Sequence, residues 1–254
     1  MGGSLGAVYL VDRDPRFLAM VRVSLAGLRA HDPDLPVVVL LVDGAGDRPD
    51  RDPATAGLRA LAAEVRLVPP LHTHSGYFPD NKAHLTSTGF DRVVYLDADT
   101  FVFGSVRALA ERYRDYDVAA RPNDWVTRSG YRAAFAPDLL CLLNSGVLVA
   151  SRPFLDAWAD WARTRPRALL DDPARRDLVR WMYAMSPKAY HREEVAFSEL
   201  AWSGRWSVGI LADSDCHLLE RYPDHEDPAR WRRSTVLHTY SREWDACARR
   251  LVAG

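Results

Sequence analysis

The run Pro36-Val-Val-Val-Leu-Leu-Val42 carries no polar side chain and is bounded by Asp34 and Asp43. A segment this short and this apolar reads as a strand covered on both faces, the pattern of a parallel sheet between helices. Similar runs recur at Ala7–Val11, Val65–Val68 and Arg92–Leu96. Between them lie helical stretches. Asp14 and Pro15 read as an N-cap and first helical residue, followed by Phe17, Met20, Val21, Leu25 and Leu28 at helical spacing. Pro53–Glu64 and Asn81–Thr88 read as further helices. Strands alternating with helices across short connections predict a doubly wound α/β fold with a mostly parallel central sheet flanked by helices.

The second half is less regular. It predicts a strand at Gly146–Ala150, helices at Pro153–Arg163, Asp172–Met185 and Glu193–Trp202, and a strand at Trp206–Leu211. A last strand at Val236–His238 and a closing helix at Arg242–Val252 complete it. No repeat, low-complexity tract or linker divides the 254 residues, so one domain is expected over 1–254.

Composition excludes several classes. With 33 Lys+Arg against 34 Asp+Glu the net charge is -1, which argues against a general binder of nucleic acid or anionic membranes. No apolar run approaches the roughly 20 residues of a membrane-spanning helix, and the first residues lack the form of a secretory signal. Cys141, Cys216 and Cys247 are too few and too scattered for a disulfide framework or a CxxC zinc site. A soluble cytoplasmic protein is the expectation. Nearly all basic residues are Arg, the only lysines being Lys82 and Lys188, so arginine count carries little weight and a well-placed lysine carries more.

The segment Arg92-Val-Val-Tyr-Leu-Asp97-Ala98-Asp99 ends an apolar strand in two carboxylates at i and i+2. In extended backbone both point to the same side, at the C-terminal edge where open α/β sheets bind ligands. Converging carboxylates repel unless a cation lies beside them. Hard oxygen donors suit Mg²⁺ or Mn²⁺, and such ions commonly bind substrate phosphates as well. The spacing therefore points to a divalent metal and a diphosphate. A polar loop that merely ends a strand is the bland alternative. Haloacid-dehalogenase-like phosphohydrolases also use Asp-x-Asp after a strand, but near the N-terminus and with Thr or Val where this chain has Phe101.

With its neighbours, this motif resembles the GT-A-fold nucleotide-sugar glycosyltransferases, particularly family 8, the glycogenin and galactosyltransferase-like group. Five pieces match in order over about residues 7 to 240. They are the start Val8–Leu28, the pair Asn81-Lys82, the motif Asp97-Ala98-Asp99, the segment Asn144-Ser145-Gly146, and His238 in Val-Leu-His-Thr-Tyr. The resemblance implies a GT-A fold, with about 7–103 as the nucleotide-binding half and about 104–254 as the donor-sugar and acceptor half. It implies Val11, Asp12, Asp14, Phe17, Lys82, Asp97, Ala98, Asp99, Asn144 and Ser145 at the donor, and Asp97, Asp99 and His238 at the metal. Asn144, Glu193 and Glu194 are the candidates beside the anomeric carbon.

The implied activity is a metal-dependent hexosyl transfer, with Mn²⁺ or Mg²⁺, from a nucleotide-diphosphate sugar, a UDP-sugar by resemblance. Transfer with retention to an acceptor hydroxyl or amine is expected, for instance on a small natural product. A homodimer is one arrangement open to such a chain. The pattern is departed from at Phe17, where Tyr is usual, and at Glu193-Glu194, where an acidic residue and Gln are common. Thr239–Arg242 lacks the usual lysine, for which Arg242 or Arg232 is the candidate substitute. A sugar-1-phosphate nucleotidyltransferase should carry a Gly-rich basic N-terminal loop, which Leu10–Pro15 is not. A non-catalytic nucleotide-sugar binder should have lost one of the motifs, and both remain. His72 and His74 lie in a Pro/Gly loop without further ligands. The eight tryptophans read as core, with Trp125 or Trp181 as a conceivable sugar platform.

Overall fold

A computed structural model describes residues 3–43, 53–61, 63–71, 78–123, 141–171, 190–219 and 226–253. The strands are β1 (Leu5–Val11), β2 (Val37–Val42), β3 (Glu64–Val68), β4 (Arg92–Leu96), β5 (Thr100–Val102), β6 (Val118–Pro122), β7 (Leu143–Ser151), β8 (Val208–Ile210), β9 (Cys216–Leu218) and β10 (Val236–His238). The helices are α1 (Pro15–His31), α2 (Pro53–Arg59), α3 (Val106–Arg112), α4 (Arg152–Asp171), α5 (Tyr190–Ala201), α6 (Pro228–Trp231) and α7 (Trp244–Ala253), with a 3₁₀ helix at Phe78–Thr88.

Seven strands form the central sheet in the order β3-β2-β1-β4-β7-β6-β8. The β3-β2-β1-β4 block is parallel, and β7 alone runs against its neighbours β4 and β6. The apolar run behind β2 is buried along its whole length. Alternation along β1 sends Ala7, Tyr9 and Val11 into one core layer with Leu18, Val21, Leu25 and Leu28 of α1. Val8 and Leu10 enter the opposite layer with Phe154 and Trp158 of α4 and Phe197 of α5. Each buried Val, Leu or Phe contributes about 1.5–3 kcal/mol by leaving water, so two covered faces explain the near-absence of polar residues in these strands.

The helix expected from Asp14 onward forms as read. The Asp14 carboxylate accepts the Arg16 N–H at 2.8 Å, and Pro15 occupies the first turn. The segment around Asn81 is a longer 3₁₀ helix, with the hydroxyls of Thr86, Ser87 and Thr88 donating to carbonyls three residues back. Such local bonds compete with the regular α ladder. α3, β5, β6 and β9 were not expected from the sequence, because their apolar positions show no full period. The region expected to be a helix at Asp172–Met185 lies outside the described residues.

β5, β10 and β9 form a second, three-stranded sheet. β10 pairs antiparallel with β5, setting His238 opposite Thr100, and parallel with β9. This small sheet rests on Phe101, Leu219, Trp231, Leu237 and Cys247. Because β5 begins directly after the loop at the end of β4, the pairing returns residue 238 to residues 97–99. Among the described residues no helix is long and apolar enough to cross a membrane.

Candidate functional site

The order β3-β2-β1-β4 reverses direction between β1 and β4, and ligands of open α/β sheets bind in the crevice at the carboxyl ends of such a strand pair. β1 ends at the buried Val11 and β4 at Leu96. Past these ends come Asp12 and Asp97. Among the described residues, one group of His, Cys, Asp or Glu side chains converges closely enough to share a cation. It is Asp97, Asp99 and His238, with their ligand atoms all within 4.8 Å of one another. His238 Nε2 stands 3.4 Å from Asp99 Oδ1 and 3.7 Å from Asp97 Oδ2. Two carboxylates and an imidazole at these separations could share a divalent ion, which would supply positive charge at the carboxyl end of β4.

Gly146 gives a second test of fit. A Cβ there would stand 2.0 Å from His238 Cε1, 2.6 Å from Nε2 and 2.7 Å from Asp97 Oδ2. The third residue of Asn144-Ser145-Gly146 therefore leaves the floor of the carboxylate–imidazole cluster bare. The donor set, two carboxylates and an imidazole packed directly on a residue without a side chain, fits Mn²⁺ or Mg²⁺. Burial pushes the His238 pKa down, but the hydrogen bond and charge of Asp99 and the charge of Asp97 outweigh it, and the net direction is up.

Lys82 is buried, and Nζ donates to the Ser145 carbonyl at 3.1 Å and to Ser145 Oγ at 2.8 Å. It also lies 3.6 Å from Asp97 Oδ1 and 5.1 Å from the centre of the Tyr95 ring. The Tyr95 hydroxyl donates to the same Asp97 oxygen. Asp97 thus presents one oxygen to Lys82 and Tyr95 and the other toward His238. Ala98 between the two aspartates is buried.

Asn144 lies within β7 rather than in a turn before it. Its side-chain oxygen accepts the Gly146 N–H at 2.9 Å, and its amide donates to Glu194 Oε1 at 2.9 Å. Glu194 Oε2 accepts from Asn123 Nδ2, also at 2.9 Å. Glu194 is buried, and both of its carboxylate oxygens are held by side-chain amides. Glu193 lies on α5, and its side chain is outside the described residues.

On the opposite side of the crevice Asp12 Oδ1 accepts the Asp14 N–H at 2.9 Å, and Phe17 packs half-buried against the core layer of α1. Arg16 donates to the Ser241 carbonyl at 2.6 Å and meets Asp245 at 3.1 Å, tying the start of α1 to the segment after His238. Arg232 donates instead to the Leu251 carbonyl of α7, whereas Arg242 is exposed and packs over Tyr240. His72, His74, Trp125 and Trp181 lie outside the described residues.

Sequence reasoning missed Tyr95, Asn123, Thr100 and Thr239 as neighbours of the site. Tyr95 stood inside the motif and Thr100 directly after it, and strand alternation could have placed the Tyr95 side chain on the same face as Asp97. Asn123 follows a strand that was not foreseen, so no signal marked it.

No protein-family profile matches the chain, and no curated protein sequence does. Solved structures do. The galactosyltransferase LgtC, in complex with donor and acceptor sugar analogs, superposes with a TM-score of 0.54 at 17% identity, covering 95% of each chain. Mouse xyloside xylosyltransferase 1 gives 0.52 at 16% identity, over 93% of this chain and 98% of that one. The bifunctional glycosyltransferase WbbM gives 0.59 at 12% identity, over 94% of this chain but 46% of that longer one. The chain thus has the GT-A fold, at identities where the fold alone is shared.

Proposed function

We propose that this chain is a metal-dependent glycosyltransferase that moves a sugar from a nucleotide diphosphate, a UDP-sugar by family resemblance, to an acceptor hydroxyl or amine. The observation that carries the reading is the convergence of Asp97, Asp99 and His238 over the bare Gly146 at the strand-order switch point. Asp99, His238 and Asp97 would hold the divalent ion, which supplies Lewis-acid charge for the diphosphate leaving group. The fixed positive charge of Lys82 beside Asp97 adds to that field from within the protein.

The carboxylate of Glu194 and the amide of Asn144 lie along β7 from the cluster, and they are the groups assigned here to the donor sugar. Both Glu194 oxygens accept from side-chain amides, which favours the ionised form. An anion held there suits stabilisation of positive charge developing at the anomeric carbon. Retention of configuration is the expected outcome, as in the family it resembles. Asp12, Asp14 and Phe17 at the opposite rim are assigned to the nucleoside. Galactosyl and xylosyl transfer by the two structural neighbours of similar length make a hexose or pentose donor the class to screen.

Calorimetry with UDP-, GDP- and dTDP-sugars, in Mn²⁺ and then in EDTA, tests the reading. Binding of a nucleotide sugar that EDTA and Asp99→Ala abolish is expected. Failure of every nucleotide sugar to bind would remove it.

A further inference from the structure

The two aspartates of the cluster are each held at the backbone by a threonine that follows a different ligand of the same cluster. Thr100, directly after Asp99, donates through Oγ1 to the Asp97 carbonyl at 2.9 Å. Thr239, directly after His238, donates through Oγ1 to the Asp99 carbonyl at 2.8 Å, and its N–H donates to the same oxygen at 3.1 Å. Each threonine therefore locks the position of one ligand to that of another. Both are buried.

The Thr100 hydroxyl continues into the core. Its Oγ1 is 2.7 Å from Ser24 Oγ of α1, and Ser24 Oγ is 3.0 Å from the Tyr9 hydroxyl of β1. Tyr9, Ser24 and Thr100 are fully buried in an otherwise apolar layer. Burial pushes the Tyr9 pKa up despite the Ser24 hydrogen bond, so this end of the chain stays a neutral phenol. Replacing paired buried hydroxyls by apolar groups of the same shape is often nearly neutral for stability. Stability is therefore a weak reason for three hydroxyls in this layer, whereas a chain ending on the Asp97 carbonyl has a geometric result.

We propose that Thr100 and Thr239 are positioning residues for the metal site, with Ser24 and Tyr9 as the support of Thr100. The inference rests on the reading of Asp97, Asp99 and His238 as metal ligands. Outer partners that orient ligands typically contribute 10–100-fold to metal affinity. The threonine hydroxyls act on ligand backbones rather than on ligand side chains, and they fix the spacing of the three donors before a metal arrives.

The test is Mn²⁺ titration of the full chain, alone and with UDP, followed by calorimetry and by electron paramagnetic resonance of free Mn²⁺. Thermal midpoints are recorded in parallel. Wild type is expected to bind and Asp99→Ala to fail. Thr100→Val and Thr239→Val, which keep shape and lose the hydroxyl, are expected to lose about 10-fold or more in Mn²⁺ affinity. Thr100→Ser and Thr239→Ser, which lose a methyl and keep the hydroxyl, are expected to stay within about threefold of wild type. A purely structural role would move the thermal midpoints of both series and leave Mn²⁺ affinity unchanged, and that result overturns the positioning role. If Thr100→Val fails to fold, Ser24→Ala and Tyr9→Phe carry the question from the far end of its chain, and if Thr239→Val fails, Thr239→Ala takes its place; unchanged Mn²⁺ affinity in these variants overturns the role of the threonine concerned. If wild type itself takes up no Mn²⁺ in either condition, the metal reading falls and this inference falls with it.

Discussion

Two carboxylate clusters lie two residues apart along β7 and differ in what surrounds them. At Gly146, Asp97 and Asp99 converge with one imidazole, and the nearest fixed cation, Lys82, lies on the far oxygen of Asp97. At Asn144, the single carboxylate of Glu194 receives an amide hydrogen bond on each oxygen. With His238 neutral, the first cluster sets two carboxylates against the single cation of Lys82, whereas the described partners of the Glu194 carboxylate are neutral amides. The same side-chain chemistry thus serves two ends. A surplus of acceptors binds a cation, while a saturated carboxylate holds a fixed charge in a fixed place.

The sharpest way to break this comparison is Gly146→Ala. Its methyl would collide with the His238 ring and the Asp97 carboxylate and push both ligands aside, and Mn²⁺ affinity is expected to fall by more than about 100-fold, beyond the range for outer partners. Mn²⁺ titration checks this, and retained binding would show that the ion does not lie where the three side chains converge.

Metal addition and removal come next. At a free Mn²⁺ concentration 100 times its Kd, wild type should gain about 2.7 kcal/mol, read as a rise of roughly 5–10 °C in Tm. EDTA should reverse it, and Asp99→Asn should lack the rise.

Glu194→Gln is the counterpart at the satisfied cluster. One of its two amide hydrogen bonds turns into a meeting of donors, costing about 2 kcal/mol and lowering Tm by roughly 4–8 °C. Its Mn²⁺ affinity should stay within about twofold of wild type, since the substitution leaves all three ligands in place. A large loss of metal affinity would join the two clusters into one.

The smallest effect separates them in the metal-free protein. With His238 neutral at alkaline pH, Asp99→Asn removes one of two like charges and should leave the stability of the EDTA-treated chain unchanged or raise it by less than about 1 kcal/mol, a Tm rise of no more than roughly 2–4 °C. A drop comparable to that of Glu194→Gln would mean that Asp99 is a structural acceptor, as Glu194 is.

By itself the sequence determined the two-layered α/β core. Runs such as Val37–Val42 have no polar residue to turn toward water, so they can only lie between covering helices. It also determined that Asp97 and Asp99 end a strand, since an apolar run broken by carboxylates has few other readings. The short elements α3, β5, β6 and β9 escaped, and so did the reason for Gly146, because a Cα is bare only with respect to what packs above it. The tertiary structure decided which member of Glu193-Glu194 meets Asn144 and Asn123, and that Lys82 is buried on Ser145 and Asp97. It also decided that His238 joins residues 97 and 99 across about 140 residues of chain, through the pairing of β10 with β5. Local periodicity reports which face of an element is buried; only long-range pairing of strands reports what that face meets.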